Sequence, residues 1–339
     1  MKGKATSLDI AHLAGVSQST VSRALRNSPL VKKETIDEVK RIAKELNYKV
    51  DKHASSLRTQ TSNTLALLIF ADPTSDNSLI NPFFLSMLGS ITQATAKKEY
   101  DLLLSFQQHS DDWHADFEDS HKADGIILLG YGDAVAFEPK LKQLEEQGTH
   151  YVRWGPQLAE HPSVCCDNKD GGFQAATHLL NQGHKRIAFI GDASVHCPEF
   201  FDRYQGYAEA LIKSGLPIEP KLQADAISTE QSGYEATLAL LDSGQEFTAL
   251  FGASDLIAIG AIKALKDRGK HIPTDVSVVG FDDIQIAQFM NPPLTTIRQD
   301  THKAGEMLVE VLIDKIQGNQ QQQVMLSPEL VTRNSSKNI

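Results

Sequence analysis

From Thr64 onward the chain repeats one pattern: a short apolar run, a longer amphipathic stretch, then another apolar run. The runs are TLALLIF, DLLLSF, GIILL, YVRW, RIAFIG, TALFG and VSVVGF. They are short and nearly continuous in apolar residues, as buried strands are. Between them, stretches such as GGFQAATHLLNQ and DLIAIGAIKALKDR carry helical periodicity. Strand and helix alternating this many times predict parallel sheets with helices on both faces. About 270 residues of such pattern predict two lobes rather than one. The expected fold class is α/β, with a two-lobed body of doubly wound parallel sheets.

The first 48 residues differ. Ser7 is the expected cap of a first helix that turns Leu8, Ala11, Leu13 and Ala14 inward. Gly15 supplies a tight turn, into which Val16 packs. Ser17 caps a second helix, with Val21, Ala24 and Leu25 as its apolar stripe. A third helix is expected over 33–47, with Ile36, Val39, Ile42, Ala43 and Leu46 in register. Three short helices with this tight corner describe a helix-turn-helix head. The second helix of such a motif lies in the DNA major groove, with its N-terminal residues at base edges. Here those residues are Ser17, Gln18, Ser19 and Thr20, followed by Ser22 and Arg23. Gln matches adenine and Arg matches guanine, each bidentately. The hydroxyls suit phosphate oxygens. Charge agrees: residues 1–60 hold 12 basic against 6 acidic side chains, a net of +6, while the remainder carries −16. A basic head on an acidic body points to a polyanionic partner.

Residues 49–63, KVDKHASSLRTQTSN, have the polar composition of a linker in which Leu57 stands out. QQQQ at 320–323 reads as a solvated loop. The three cysteines, at 165, 166 and 197, form neither a disulfide framework nor a zinc spacing. The opening MKGKATSLDI lacks the apolar core of a signal peptide. No apolar run approaches the ~20 residues of a membrane span. A soluble cytoplasmic protein with reduced thiols and no metal is expected. GYGDAV at 130–135 imitates a dinucleotide fingerprint, but Val135 stands where Gly or Ala is needed. No nucleophile elbow or Walker loop is present, so neither a catalytic residue nor a cofactor is expected.

In open α/β sheets, ligands bind beyond the carboxyl ends of the strands. That rule selects the loop ending Asn81-Pro82-Phe83-Phe84, Trp154 at the end of YVRW, Ala253-Ser254-Asp255 after TALFG, and Asp282-Asp283 after VSVVGF. Aromatic faces beside carboxylates and an arginine make a saccharide site. Each residue also has a plain structural use: the rings as core, and Asp255 and Asp282 as helix caps.

VSQSTVSRAL, ELNY at 45–48, HASSLRT at 53–59, NPFF, DGIILL, GHKRIAFIG, RYQGY, GFDD and PPLTTI follow one another in the order of the blocks of the lactose/galactose repressor (LacI/GalR) family. The chain resembles that family over essentially its whole length. The resemblance implies a helix-turn-helix domain at 1–48, a hinge helix at 49–63 and a periplasmic-binding-protein-like effector domain at 64–333. In that domain it implies a first lobe of about 64–163 and 293–322, and a second of about 164–292 and 323–333, with a tail at 334–339. It adds Thr6 and Asn27 to the expected DNA contacts. It also implies that Leu57, beside Ala54 and Lys52, wedges a minor-groove base step. Phe83 and Phe84 are implied to wall the effector, and Arg203 and Asp282 to be its paired polar contacts. Three positions depart from the family pattern: Val50 where Pro is usual, Lys32 where a capping Ser or Thr is usual, and Ser254 where Asn is common.

The implied function is a homodimeric repressor of a catabolic operon. It would hold a near-palindromic double-stranded DNA operator and be released by a mono- or disaccharide inducer. Absence of C-terminal leucine heptads favours the dimer over a tetramer. A purine or other metabolite acting as corepressor is the alternative. A sugar-binding transport receptor is a distant one.

Overall fold

In the computed structural model, the residues described are 5–48, 61–70, 81–107, 116–130, 132–156, 161–319 and 323–339. The expected hinge contacts Lys52, Ala54 and Leu57, and Val50, lie outside them. So do Tyr131 of the false dinucleotide motif and Gln320, Gln321 and Gln322 of the glutamine run. Residues 1–62 and 63–339 form separate compact units.

Thr6, rather than Ser7, starts helix α1 (Ser7–Ala14). Its hydroxyl accepts from the Asp9 N–H, and the Asp9 carboxylate accepts from the Thr6 N–H at 2.7 Å, a capping box. The inward face is therefore Ile10 and Ala11, while Leu8 and Leu13 are 62% and 58% exposed, contrary to the expected pattern. Gly15 ends α1 in the left-handed region at φ 65°, the conformation that lets α2 (Gln18–Leu25) turn away at once. Ser17 caps α2 as expected. Lys32 leaves α3 (Lys33–Glu45) without a side-chain cap, also as expected. Val21, Ala24, Val39, Ile42 and Ala43 close the small core around Ile10.

The body contains two six-stranded sheets. The first joins β1 (Thr64–Phe70), β2 (Asp101–Gln107), β3 (Gly125–Leu129), β4 (Tyr151–Trp154), β5 (Ser163–Cys166) and β11 (Val324–Leu326) in the order β11-β5-β4-β3-β1-β2, all parallel. The second joins β6 (Ile187–Ile190), β7 (Gln223–Ala224), β8 (Ala249–Gly252), β9 (Ser277–Asp282), β10 (Thr295–Arg298) and β12 (Glu329–Val331) in the order β12-β10-β9-β8-β6-β7. Only the β10–β12 pair is antiparallel. The helices are α4 (Pro82–Lys97), α5 (Ala134–Glu146), α6 (Asn168–Asn181), α7 (Pro198–Lys213), α8 (Glu230–Asp242), α9 (Asp255–Asp267) and α10 (Thr301–Ile316).

The chain passes between the sheets three times: after β5, after β10 and after β11. The crossings expected near 163/164, 292/293 and 322/323 are thus displaced. The backbone completes β10 beside β9 before leaving, and α10 then packs on α4 and against β3, β4 and β5 of the first sheet. In the second lobe α6 and α7 pack at unusually close range. A Cβ on Gly172 would lie 2.0 Å from the Arg203 carbonyl oxygen, and one on Gly206 1.9 Å from that of Lys169. Two glycines let the backbones touch, and that contact sets where Arg203 stands.

The last six residues are not a free tail. Ser335, fully buried, exchanges bonds with Val278 and accepts from Thr295 N–H at 2.7 Å. His184 holds the same strap through Thr248, Ser277 and the Lys337 carbonyl, and His178 meets Ser336 at 2.8 Å. Burial holds both imidazoles below their ordinary value of 6.5. The unfolded chain therefore takes up these protons first, and the strap's stability is complete above about pH 6.5 and lost as pH falls below it. We expect the melting temperature of the wild type to fall further between pH 7 and pH 5 than that of His178→Gln. Parallel slopes would show that this histidine does not titrate with unfolding.

Candidate DNA-binding face and interlobe site

Helix α2 presents Ser17, Gln18, Ser19 and Arg23 to solvent, with Thr20 and Ser22 half-buried and Thr6 and Asn27 exposed at the motif's ends. Several of these groups also serve the fold. The Ser17 hydroxyl accepts from the Thr20 N–H and lies 2.8 Å from the hydroxyls of Ser19 and Thr20. Ser22 accepts from Arg26, and Asn27, at φ 55°, accepts from Lys40 at 2.5 Å. Gln18 spends one amide N–H on Ser7 at 2.8 Å, which fixes its side chain and leaves its carbonyl oxygen and second N–H outward. Arg23 has all its donors uncommitted among the described residues. Arg26 and Lys40 were not singled out from the sequence, and Ser7 was read only as a helix cap; all three hold residues expected to touch DNA.

In the body, Phe83 and Trp154 are 6% exposed each, with ring centroids 5.9 Å apart; Phe84 meets Phe83 edge-on at 5.4 Å. Asn81 caps α4 with its side-chain oxygen, which accepts from the Phe83 N–H at 2.9 Å and fixes the first turn that carries both Phe rings. Arg203 is buried over the Phe281 ring, 3.7 Å from its centroid. Its Nε donates to Asn168 at 2.8 Å, a terminal nitrogen donates to the Ala253 carbonyl, and Asp282 lies 3.7 Å away. Asp282 accepts from Gln299 at 2.7 Å. Burial pushes Asp282 up to about 6, against the opposing pull of Arg203. Asp282 and Asp283 both have positive φ, 117° and 55°, strained values for non-glycine residues. Arg298 and Arg333 clamp Asp283 at 2.8 and 2.6 Å and hold that turn.

Phe83, Asp282, Ile284, Gln299 and Thr301 contribute to a cavity of about 180 Å³ between the lobes. Of the residues that the strand-end rule and the family resemblance selected, Phe83, Asp282 and Asp283 line it among the described residues. Trp154 reaches it through Phe83. Ser254 caps α9 and accepts from Ser228, whose hydroxyl accepts from Asn81 of the other lobe at 3.3 Å. Asp255 faces away from the cavity. It is fully buried, and its two oxygens accept from the Ile284 N–H and the Thr296 hydroxyl. Burial, then the charge of Asp282, hold its carboxyl well above the usual range. Gly280 makes room for it, since a Cβ there would lie 2.3 Å from Asp255 Oδ1.

The sequence reading missed Gln299, which is 4% exposed with an unpartnered Oε1, and also missed Asn168 and Ser228. The strand-end rule finds Gln299 once β10 is known to end at Arg298. On the other side of the cleft, the Ala134 N–H donates to the His196 carbonyl at 2.9 Å and the His196 ring meets Asp133 at 2.8 Å.

No group of three or more His, Cys, Asp or Glu able to hold a metal occurs among the described residues. None of the described helices is long and apolar enough to cross a membrane.

Residues 6–51 match the family model of bacterial regulatory proteins of the lacI family, and 176–336 match that of a periplasmic binding protein-like domain. The HTH-type transcriptional repressor CytR of Escherichia coli K12 is 32% identical, covering 98% of this chain and 96% of that protein. The HTH-type transcriptional repressor PurR of Histophilus somni 129Pt is 30% identical, covering 99% and 100%. Among solved structures, the transcriptional regulator CelR in complex with cellobiose is 30% identical with a TM-score of 0.71, covering 98% and 99%. The lac repressor dimer bound to operator and the anti-inducer ONPF shares the fold at 23% identity and a TM-score of 0.81, covering 99% and 100%.

Proposed function

The chain belongs to the LacI family of bacterial regulatory proteins, and from that premise we propose that it is a cytoplasmic transcriptional repressor, without catalytic activity, released from its operator by a small saccharide. The observation that carries the reading is the orientation of α2. Gln18 is held with its remaining amide groups outward, and Arg23 stands uncommitted beside it. Lys52, Ala54 and Leu57 follow as the linker's minor-groove contacts, with Leu57 as the wedge that opens a base step.

Saccharide recognition rests on the interlobe geometry. Phe83, backed by Trp154, offers a ring face to C–H surfaces, and Asp282 with Gln299 offers acceptors to hydroxyls. Arg203 orients Asp282 from behind. Ser254 and Asp255 support the site from α9 rather than entering it. The inducer works by differential affinity, binding the lobe arrangement that disfavours the DNA-bound state. A purine stacked on the same rings and acting as corepressor is the second reading. It predicts the opposite sign, with ligand strengthening operator binding.

Two protomers pair through their bodies. β2, at the edge of the first sheet, exposes Leu104 and Phe106, and α4 beside it exposes Leu85; the second lobe exposes Ile286 and Phe289, the latter 71%. These exposed apolar side chains are the surface we assign to that association.

A gel shift on the palindromic DNA upstream of the gene tests the reading. The full-length chain is expected to bind, and a fragment beginning at Ser62 is not. Arg23→Ala is expected to weaken specific binding by about 1–3 kcal/mol at fixed salt. Equal binding by the headless fragment would sink the proposal.

A further inference from the structure

Among the described residues, three buried side-chain atoms of the first lobe have no hydrogen-bond partner: the Thr95 hydroxyl, Arg153 Nε and the Ser163 hydroxyl, the last two on neighbouring strands. Arg153 on β4 is 2% exposed, and Ser163 on β5 is fully buried. They are register partners, so they stand side by side on one face of the sheet. The guanidinium makes a single hydrogen bond among the described residues, from a terminal nitrogen to the Pro156 carbonyl beyond the strand's end. Its Nε and the Ser163 hydroxyl make none. Arginine stays protonated in proteins, so a full positive charge sits out of water with no carboxylate in ion-pair contact among the described residues. Folded proteins rarely leave such donors idle unless something else supplies the acceptor.

Position indicates what supplies it. The guanidinium extends past the carboxyl end of β4, the end at which open α/β sheets receive ligands. The next residue, Trp154, points to the opposite face of β4, where it meets Phe83. Cys165 lies on the same face of β5 as Ser163, and burial pushes its thiol up to about 11. Asp167, Glu199 and Asp202 add to that rise, and Arg153 opposes it. Glu199 and Asp202 belong to α7 of the second lobe, so charge from that lobe reaches this end of β5.

We propose that Arg153 and Ser163 receive an oxyanion carried by the effector, so that the saccharide sensed between the lobes is an acidic or phosphorylated one. Nε and a terminal nitrogen of a guanidinium form the fork that fits a carboxylate or phosphate, and the Ser163 hydroxyl adds a third donor. The nearby Asp167, Glu199 and Asp202 make the spot unfavourable to a lone anion. The sugar ring, held by the aromatic wall and the Asp282 end, has to bring the charge in. The inference rests on the saccharide reading above.

The test is calorimetric titration and thermal shift of the full-length protein against neutral sugars, aldonic and uronic acids, hexose phosphates and inorganic phosphate. It is run on the wild type, Arg153→Met, Arg153→Lys and Asp202→Asn. An acidic or phosphorylated sugar is expected to raise the melting temperature, the two arms telling carboxylate from phosphate. Its affinity is expected to fall roughly tenfold or more in Arg153→Met and to recover in part in Arg153→Lys. Ligand-free Arg153→Met is expected to melt no lower than wild type, because a lone buried charge has been removed. Binding of a neutral sugar alone overturns the inference and leaves the saccharide reading standing. A shift with inorganic phosphate equal to that with the phosphosugar overturns it in favour of a structural ion. If Asp202→Asn reproduces the Arg153→Met loss, the counter-ion is that carboxylate and the inference fails. Silence of every sugar overturns both readings.

Discussion

Arg203→Leu is expected to abolish the ligand response and to lower stability by about 3–5 kcal/mol at neutral pH. The guanidinium is 4% exposed and is the cation nearest the buried Asp282 carboxylate, at 3.7 Å. Its hydrogen bonds to Asn168 and the Ala253 carbonyl would be lost with it, leaving two buried acceptors unsatisfied. The deficit has a pH signature. Burial already raises Asp282 above an unfolded carboxyl, and Arg203 works against that rise. Without Arg203 the folded-state value moves higher still. An acid raised on folding weakens the fold as pH climbs from the unfolded value toward the folded one. The variant's shortfall should therefore be smallest near pH 4 and largest at pH 7 and above. Urea titrations of wild type and variant at both pH values decide the matter. A shortfall independent of pH would mean that the guanidinium acts through its packing on Phe281, 3.7 Å away, and not through charge. Recovery of stability in the Arg203→Leu, Asp282→Asn double variant would confirm the electrostatic account.

What could be read from the sequence depended on how each element is buried. Every apolar run quoted became a strand, because all of them but β2 are buried on both faces and have few polar positions to confuse the pattern, and β2 is apolar at its exposed Leu104 and Phe106. The strands that escaped notice are β5, β7, β10, β11 and β12, which are two to four residues long. They are strands because neighbours distant in the chain supply their hydrogen bonds, and no local signal records that. The missed strands also explain the displaced lobe crossings, two of which follow β5 and β10. In the head, the helix starts one residue earlier than expected, and Ile10, in place of Leu8 and Leu13, joins Ala11 and Ala14 against the core. The interlobe residues divide in the same way. Trp154 and Asp282 end readable strands and are where the strand-end rule puts them. Gln299 follows an unreadable one. Asp255 met the same rule, yet Gly280 and Thr296 draw its carboxylate inward, a tertiary contact that a single sequence does not show.

Gly206→Ala is the second substitution expected to have a large effect, about 3 kcal/mol or more, although it adds one methyl group far from any ligand. The added carbon would fall 1.9 Å from the Lys169 carbonyl oxygen and 2.6 Å from the Phe173 nitrogen. Both are helix backbone, so no side chain can swing aside, and α6 and α7 have to separate. Intrinsic helix preference acts in the opposite direction, since alanine is favoured over glycine by about 1 kcal/mol in a helix interior. A net loss therefore reports the close approach alone. Separation would also carry Arg203 away from Asn168, because the two side chains bridge these helices. The melting temperature should fall, and effector affinity should weaken in the protein that remains folded. Gly215→Ala is the useful control. Gly215 lies just beyond the end of α7 at φ 72° with open space around it, so its replacement strains only the local backbone. A loss at Gly206 no larger than at Gly215 would show that the two helices can part without consequence, and that Arg203 is positioned by something other than their contact.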